Sequence, residues 1–453
     1  MVLVVILVLL VLGTVIFHFA SPWWFTPLAS NWGSIDTTIN ITFWITGLVF
    51  VAVNLFMAYA IFKFKHKKGQ KSHYEPENKK LEIWLTGITA LGIAIMLAPG
   101  LFVWASFVKA PSDAQQVEVV GKQWHWMYRF PGEDGELGRT DPRFVSEHNP
   151  FGLDPQDPAG QDDILVFSNI LHLPVGQPHK FWLRSQDVLH NFAVPHFRAK
   201  MDLVPGTVTR MWLEPTRTGT FDVVCMQLCG TAHHAMRGKV VVQEQEDFDQ
   251  WLASHPTFAD TQSRAYRGDQ DIGRALYATC ASCHGQQGEG NQGLNAPRVA
   301  GLDQWYLERQ LAYYKDRVRG YNDGDTYGQQ MAAMMAVLPD RQAIRNVSAY
   351  MAAMPETQVT PTITGNTARG ERLYRNFCSD CHGSDGSGNY HTNAPRISGQ
   401  QDWYLERQVT YFRDGIRGLH PQDSHGNQMV MLVQGLRDEQ AIRDVVAYIN
   451  TLD

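Results

Sequence analysis

The sequence predicts a multidomain membrane protein: a transmembrane helical hairpin preceded by a further apolar segment, an all-β sandwich, and two all-α domains. Three observations carry this expectation. Two long runs in the first quarter of the chain hold no charge. The stretch after them breaks into short β-rich runs between Gly, Pro and Asp. The C-terminal part then repeats itself at a fixed offset. A net charge of −6 over 453 residues gives no support to polyanion binding, so no nucleic-acid partner is expected.

Residues 1–20 open with MVLVVILVLLVLGTVIFH, which has no early Lys or Arg and a poor small-residue cleavage site, FHFAS. A retained third span is therefore favoured over a cleaved signal. The hairpin is expected over residues 35–110. Ile41 to Phe62 is 22 uncharged residues and Ile83 to Val108 is 26, each long enough to cross the hydrocarbon core as a helix. Seven lysines lie between Lys63 and Lys80. The positive-inside rule puts that connector in the cytoplasm and everything after Val108 outside.

Residues 115–245 read as the β domain. VEVV (117–120), TFDVV (220–224) and KVVV (239–242) are strand-like runs between turn-rich segments. Residues 131–163, rich in Gly, Asp and Pro, read as a surface insertion. A polar stretch, QEQEDFDQWLASHPTFADTQSR, leads out.

The all-α domains are expected over 265–356 and 365–453. APR recurs at 296 and 394, WYLERQ at 305 and 403, and QAIR at 342 and 440, always 98 residues apart. Two copies side by side make a duplicated globular domain rather than a solenoid. Apolar positions at helical spacing, as in QAIRDVVAYINTL, make each copy helical.

All six cysteines fall in three close pairs. Three isolated disulfides are one reading, but such spacing favours metal or cofactor sites. In DVVCMQLCGTAHHAM, Cys225, Cys229, His233 and Met236 lie together, and His190 lies 35 residues before Cys225. Thiolates, imidazoles and a thioether suit copper rather than magnesium or calcium. Two thiolates can each bridge two metals, giving a binuclear centre. Zinc on Cys225, Cys229 and His233 is the alternative, but it leaves Met236 without a purpose.

This C-x3-C-x3-H-x2-M pattern with a distant histidine resembles the binuclear CuA centre of cytochrome oxidase subunit II, which implies a cupredoxin sandwich. The resemblance implies one copper held by His190 and Met236, the other by His233 and the carbonyl of Gln227, with Cys225 and Cys229 bridging. That family usually has glutamate at the position of Gln227, where the side chain helps hold magnesium, so a magnesium site is in doubt here. Trp124, in GKQWHWMYRF, matches the family's electron-entry position, while packing alone is the plain reading. KMDLVPG (200–206) also matches. In NKKLEIW, Glu82 aligns with a carboxylate at the mouth of a proton pathway, and equally reads as a glutamate favoured at a helix N-terminus.

CASCH (280–284) and CSDCH (378–382) are C-x-x-C-H motifs of covalent c-type heme attachment. Cys280, Cys283 and His284 would hold one heme, and Cys378, Cys381 and His382 the other. A redox dithiol needs no following histidine. Of the methionines downstream, only Met331 and Met429 coincide at the 98-residue offset, each 47 residues after its histidine. They are the expected second axial ligands, a pairing that favours a relatively high potential. The copies resemble class I cytochrome c domains, most like those of diheme cytochromes. Tyr277 and Tyr374 would then pack against closing helices that bear Tyr350 and Tyr448.

These resemblances together imply the electron-transfer subunit II of a respiratory cytochrome c oxidase, in the bacterial cytoplasmic membrane, with its copper and heme domains on the periplasmic side. Oxygen reduction and proton pumping would reside in subunit I, beside further oxidase subunits. The upstream donor would be a quinol-oxidising complex or a soluble cytochrome c. A CuA subunit of a nitric oxide reductase is the nearest alternative. A membrane-anchored electron carrier without an oxidase partner is another.

Overall fold

The computed structural model describes residues 1–453 apart from 22–24, 70, 72–75, 147, 264–266 and 453. Part of the lysine-rich connector, and residue 265 where the first C-terminal domain is expected to begin, lie outside the described residues.

Three long helices come first: α1 (Val2–Ala20), α2 (Gly33–Lys63) and α3 (Lys79–Val108), each long and apolar enough to cross a membrane. No residue of α3 is buried, and Leu48, Phe56, Leu91 and Phe102 stand exposed. Helices apolar on every side suit lipid rather than water. Asn78 caps α3 by accepting from Leu81 N at 3.0 Å, and Glu82 stands exposed in the first turn, where the helix dipole favours a carboxylate. Aromatic groups join this region to the sandwich. Trp32 Nε1 donates to Trp212 O (3.0 Å), Trp212 Nε1 donates to Ser106 O (2.9 Å), and Arg198 pairs with Asp36 at 2.6 Å.

The sandwich has ten strands: β1 (Gln115–Lys122), β2 (His125–Phe130), β3 (Ile164–Val166), β4 (Ile170–Pro174), β5 (His179–Ser185), β6 (His190–Val194), β7 (Ala199–Leu203), β8 (Thr209–Leu213), β9 (Gly219–Cys225) and β10 (Arg237–Gln243). One sheet runs β3-β2-β1-β5-β8 and the other β4-β10-β9-β6-β7. Val117, Val119, Trp126, Phe181, Phe192 and Val223 fill the space between them. β6 lies beside β9 with Phe192 opposite Cys225, which brings His190 to the end of the strand carrying the first cysteine.

Two segments are more ordered than the sequence suggests. Residues 131–163 are more than a surface insertion: Phe151 and Leu153 join Val120, Met127, Leu165 and Phe258 in a second small core. The polar exit stretch forms α4 (Gln245–Ala253) and α5 (Phe258–Gln262), the latter opened by a Thr257–Asp260 capping box. Phe248 and Trp251 of α4 pack on Phe130 at 5.8 and 5.9 Å between ring centroids.

The C-terminal region is two helical units. The first has α6 (Gln270–His284), α7 (Gln304–Lys315), α8 (Thr326–Met334) and α9 (Arg341–Ala352). The second has α10 (Thr367–Phe377), α11 (Ser379–His382), α12 (Asp402–Arg413), α13 (Ser424–Val433) and α14 (Glu439–Ile449). Asp340 and Asp438 cap the last helix of each unit, as the repeat requires. A Cβ at Gly273 would lie 2.0 Å from Asn346 O, and one at Gly370 2.0 Å from Asp444 O. Glycine is thus what lets the first and last helices of each unit cross at backbone contact. Tyr277 meets Tyr350 at 5.6 Å and Tyr374 meets Tyr448 at 5.4 Å.

Candidate functional site

The loop between β9 and β10 gathers the sulfur ligands expected for copper. Cys225 and Cys229 are both free and buried, their sulfurs 3.8 Å apart. Cys229 Sγ lies 3.5 Å from His233 Nδ1 and 3.8 Å from Met236 Sδ. Cys225 Sγ lies 3.2 Å from the carbonyl oxygen of Gln227. His190, Cys225 and Cys229 present ligand atoms all within 4.8 Å of one another. The two histidines, two cysteines, methionine and carbonyl named from the sequence therefore meet in one place. His234, by contrast, is exposed.

The electrostatics of this cluster call for a cation. Cys225 is held down at about 3 by its hydrogen bond with Cys229, and Cys229 is pushed up by the Cys225 sulfur beside it. The pair shares one proton, and both sulfurs ionise together only next to positive charge. His190 Nε2 is held by Asp187 Oδ1 at 2.8 Å, while its buried Nδ1 has no hydrogen-bond partner. A carboxylate orienting one imidazole nitrogen and leaving the other free is the outer-shell arrangement of a metal ligand. Trp124 is only 3% exposed, and its Nε1 donates to Cys229 O at 3.2 Å. Glu82 lies on α3, outside this cluster.

Each helical unit builds its second site in the same way. His284 Nδ1 contacts Pro297 O, and His382 Nδ1 contacts Pro395 O, both at 2.8 Å, which leaves each Nε2 available to a metal. Gly285 and Gly383, at φ 85° and 81°, end the helix immediately after each histidine. Burial pushes Cys378 and Cys381 up to about 12 and raises Cys280. A reactive redox dithiol needs the opposite shift. Cys280, Cys283, His284 and Met331 of the first unit line one continuous cavity with Cys378, Cys381, His382 and Met429 of the second.

The units differ by one residue before the first cysteine. Tyr277 precedes Cys280 by three positions, whereas Tyr374 precedes Cys378 by four. α6 runs unbroken through CASCH, but the second unit breaks at Cys378, with φ −122° and ψ −43°, before α11 resumes. The extra residue is absorbed in that break, and the Phe377 ring fills the space over Gly435.

One constellation was missed from the sequence. Arg319 donates to Gln310 (2.8 Å), Tyr404 (2.8 Å) and Gln408 (2.9 Å), and Arg417 donates to Gln408 (2.6 Å) and Gln310 (2.8 Å). Arg309 and Arg407 reach across reciprocally to the carbonyls of Asn393 (2.9 Å) and Asn295 (3.2 Å). All four guanidiniums line the shared cavity, and each leaves a buried Nε without a partner. Among the described residues none of them forms a salt bridge. The repeat offset itself, which pairs 309 with 407, 310 with 408 and 319 with 417, could have exposed them.

The sandwich and both helical units are each similar to known proteins. Residues 115–244 match the family of the cytochrome c oxidase subunit II periplasmic domain, and 270–355 and 367–453 each match the cytochrome c family. The alternative cytochrome c oxidase subunit 2 of Bradyrhizobium diazoefficiens is 58% identical over 259 residues, covering 57% of this chain and 94% of that protein. A probable cytochrome c oxidase subunit 2 of Rickettsia felis is 28% identical over 48% of this chain and 65% of its own length. Among solved structures, reduced cytochrome c4 from Pseudomonas stutzeri matches 41% of this chain and all of its own at 26% identity and a TM-score of 0.34. The periplasmic domain of cytochrome oxidase subunit II of Bradyrhizobium japonicum matches 32% of this chain and 96% of its own at 27% identity and a TM-score of 0.24. The matched families imply copper in the sandwich and heme c in the helical units. The chain belongs to the cytochrome c oxidase subunit 2 family, and two cytochrome c domains follow its copper-carrying domain.

Proposed function

We propose that this chain is the electron-transfer subunit of a respiratory oxidase that reduces oxygen to water and pumps protons in its subunit I. A binuclear CuA centre would be held by Cys225 and Cys229 together with His190, His233, Met236 and the Gln227 carbonyl. One heme c would be attached at Cys280 and Cys283 and held by His284 and Met331, and a second attached at Cys378 and Cys381 and held by His382 and Met429. These groups, when bound, supply one-electron storage. The chain fixes their positions, excludes water and balances their charge. The four guanidiniums between the units, which have no carboxylate partner among the described residues, suit the carboxylates that a heme carries. The three apolar helices would anchor the chain in the bacterial cytoplasmic membrane with both cofactor regions in the periplasm. Fusing the cytochromes raises their effective concentration at copper to about the millimolar range of short tethers.

The observation that carries this reading is the pair of cysteine sulfurs 3.8 Å apart, flanked by imidazole and thioether ligands, on a subunit II sandwich. Purification from native membranes should yield two coppers and two covalent hemes in this chain, together with an oxygen-reducing partner. Met236→Leu should alter the copper spectrum and slow turnover while leaving both c-heme spectra as they are. An unchanged copper signal removes Met236 from the ligand set. Gln227 in place of glutamate keeps a nitric oxide reductase partner in view, and a complex that consumes nitric oxide but not oxygen would select it.

A further inference from the structure

We infer that electrons enter this chain at the first cytochrome unit and reach copper only through the second. The inference rests on the cofactor reading above and adds a direction and a docking face to it. Among the described residues, every hydrogen bond between the sandwich and the cytochrome units comes from the second unit. Thr231 Oγ1 donates to Asp380. Gln428 Nε2 donates to Trp124 O, and more weakly to Ala235 O at 3.4 Å. Asn393 contacts the His125 ring at 2.9 Å, the His125 and His425 rings lie 5.6 Å apart, and Lys122 sits 4.6 Å over Tyr390. Cys381, Met431 and Leu432 pack against the core cluster that contains Cys225, Cys229 and Met236. Ala232, next to the copper ligand His233, lines the cavity that holds Cys381. The second unit's attachment site, at Cys381, thus abuts the copper-ligand loop through ordinary packing contacts. Electron transfer rates fall steeply with the distance between centres, so this contact sets the last step.

The same contact closes the older door. Trp124, where the resemblance would place electron entry from a free donor, is 3% exposed and its carbonyl is taken by Gln428. The first unit presents the corresponding face to solvent. Cys283 is exposed where Cys381 is packed. Gln330, the counterpart of Gln428, is exposed. Leu294, Met334 and Val337, at 52%, 41% and 41% exposure, form an apolar rim on the cavity mouth. The face that the second unit uses to pass electrons inward is, in the first unit, free to receive them. Its occupant is a one-electron redox protein with an apolar-edged cofactor. One electron would pass from that donor, which is oxidised, to the group held by Cys280, Cys283 and His284. It would move next to the group held by Cys378, Cys381 and His382, and then to oxidised copper held at Cys225 and Cys229, which is reduced. Both cytochrome units return to their starting state, the donor is left oxidised and the copper centre reduced by one electron, and no bond or proton changes hands.

The test uses the intact oxidase complex, mixed rapidly with a reduced soluble c-type cytochrome while both heme bands and the copper near-infrared band are followed. Met331→His and Met429→His each lower the potential of one heme and mark it spectrally. In Met429→His, the first heme should reduce at the wild-type rate while copper reduction slows by about tenfold or more. In Met331→His, the second heme and copper should both slow together. The mirror pattern, or wild-type copper reduction in Met429→His, overturns the order. Thr231→Glu, facing Asp380, gives a second route: both hemes reduce normally and copper lags, with the copper spectrum unchanged. Normal copper reduction there overturns the contact. Leu294→Asp should raise severalfold the donor concentration needed for half-maximal reduction of the first heme, and an unchanged requirement overturns the entry face. Absence of the copper or heme bands from the wild-type complex would fail the cofactor reading itself, which is separable from any of these outcomes.

Discussion

The two cytochrome units carry the same candidate ligands on corresponding segments and are placed in different surroundings. Each has a helix-ending glycine after the histidine, a proline carbonyl on its Nδ1, a tyrosine pair and a capped closing helix. What differs lies around that frame. The second unit carries an extra residue before its first cysteine, a bulky Phe377 over Gly435, an ionisable Asp444 where the first has Asn346, and a face pressed against the copper loop. Duplication conserves what the cofactor chemistry requires and leaves the outer faces and helix crossings to diverge. Role is therefore assigned by what each copy touches, not by its motif.

The strongest way to break the shared frame is at the helix crossing. Gly370→Ala puts a Cβ 2.0 Å from Asp444 O, and Gly273→Ala does the same against Asn346 O. Each should cost about 3 kcal/mol, the upper range for overpacking. Each should lower heme incorporation in its own unit, read from heme stoichiometry and the pyridine hemochrome spectrum, while sparing the other. Equal loss of both hemes from either variant would show the units to be one cooperative body. The next largest effect falls between the units. Arg319→Ala leaves Tyr404 without its donor and Gln310 and Gln408 with Arg417 alone, and should cost about 2 kcal/mol given the strength of hydrogen bonds to a charged group. Thermal unfolding followed at the two heme bands should then separate into two transitions where the parent shows one.

How much of this was legible in the sequence follows from the kind of chemistry involved. Covalent heme attachment and sulfur ligation fix residue type and spacing, so CASCH, CSDCH and C-x3-C-x3-H-x2-M could be read directly. The long uncharged runs were equally plain because lipid tolerates few charges. The Arg309, Arg319, Arg407 and Arg417 lattice was hidden, since arginine and glutamine on a helix face, or in the loop just after it, look solvated until a second unit covers them. The choice of the second unit as copper neighbour was hidden too. It depends on Asp380, Asn393 and Gln428 meeting loops some 150 to 300 residues earlier in the chain, and no local pattern encodes such a meeting. The 131–163 segment misled through composition: Gly, Asp and Pro dominate it, yet Phe151 and Leu153 anchor it in a core.

The remaining two predictions sharpen the comparison by making one unit resemble the other. Gly435 corresponds to Val337, and a Cβ at Gly435 would meet the Phe377 ring at 2.4 Å. Gly435→Val should cost about 1.5 kcal/mol, within the ordinary range for overpacking. Adding Phe377→Thr, to match Thr279, should recover most of it. Failure of the second change to rescue would mean that the break at Cys378, and not the ring, sets the packing there.

The smallest effect is the most specific, because it concerns a single proton. Asp444 Oδ1 accepts from Asn366 N at 2.8 Å, and Arg369 donates to Oδ2 at 3.0 Å, whereas Asn346 accepts from Asp269 N at 2.8 Å. Burial alone would raise the Asp444 carboxyl, but the Asn366 amide, Gln440 and Arg369 hold it below its usual 3.8. A carboxyl lowered in the folded state adds stability that is fully present above the unfolded value and is lost as pH falls through the folded one. The second unit should therefore weaken as the medium is acidified below about 4, while the corresponding crossing in the first unit, closed by a neutral amide, has no such dependence. Asp444→Asn should flatten the acid slope of the second unit's melting temperature at a small loss near neutrality. The converse change, Asn346→Asp, has no arginine beside the crossing glycine, since Ile272 precedes Gly273 as Arg369 precedes Gly370, so the first unit should lose stability at neutral pH and regain it when Ile272→Arg is added. Rescue by that arginine would show that the two units solved one helix crossing twice, once with an amide and once with an ion pair.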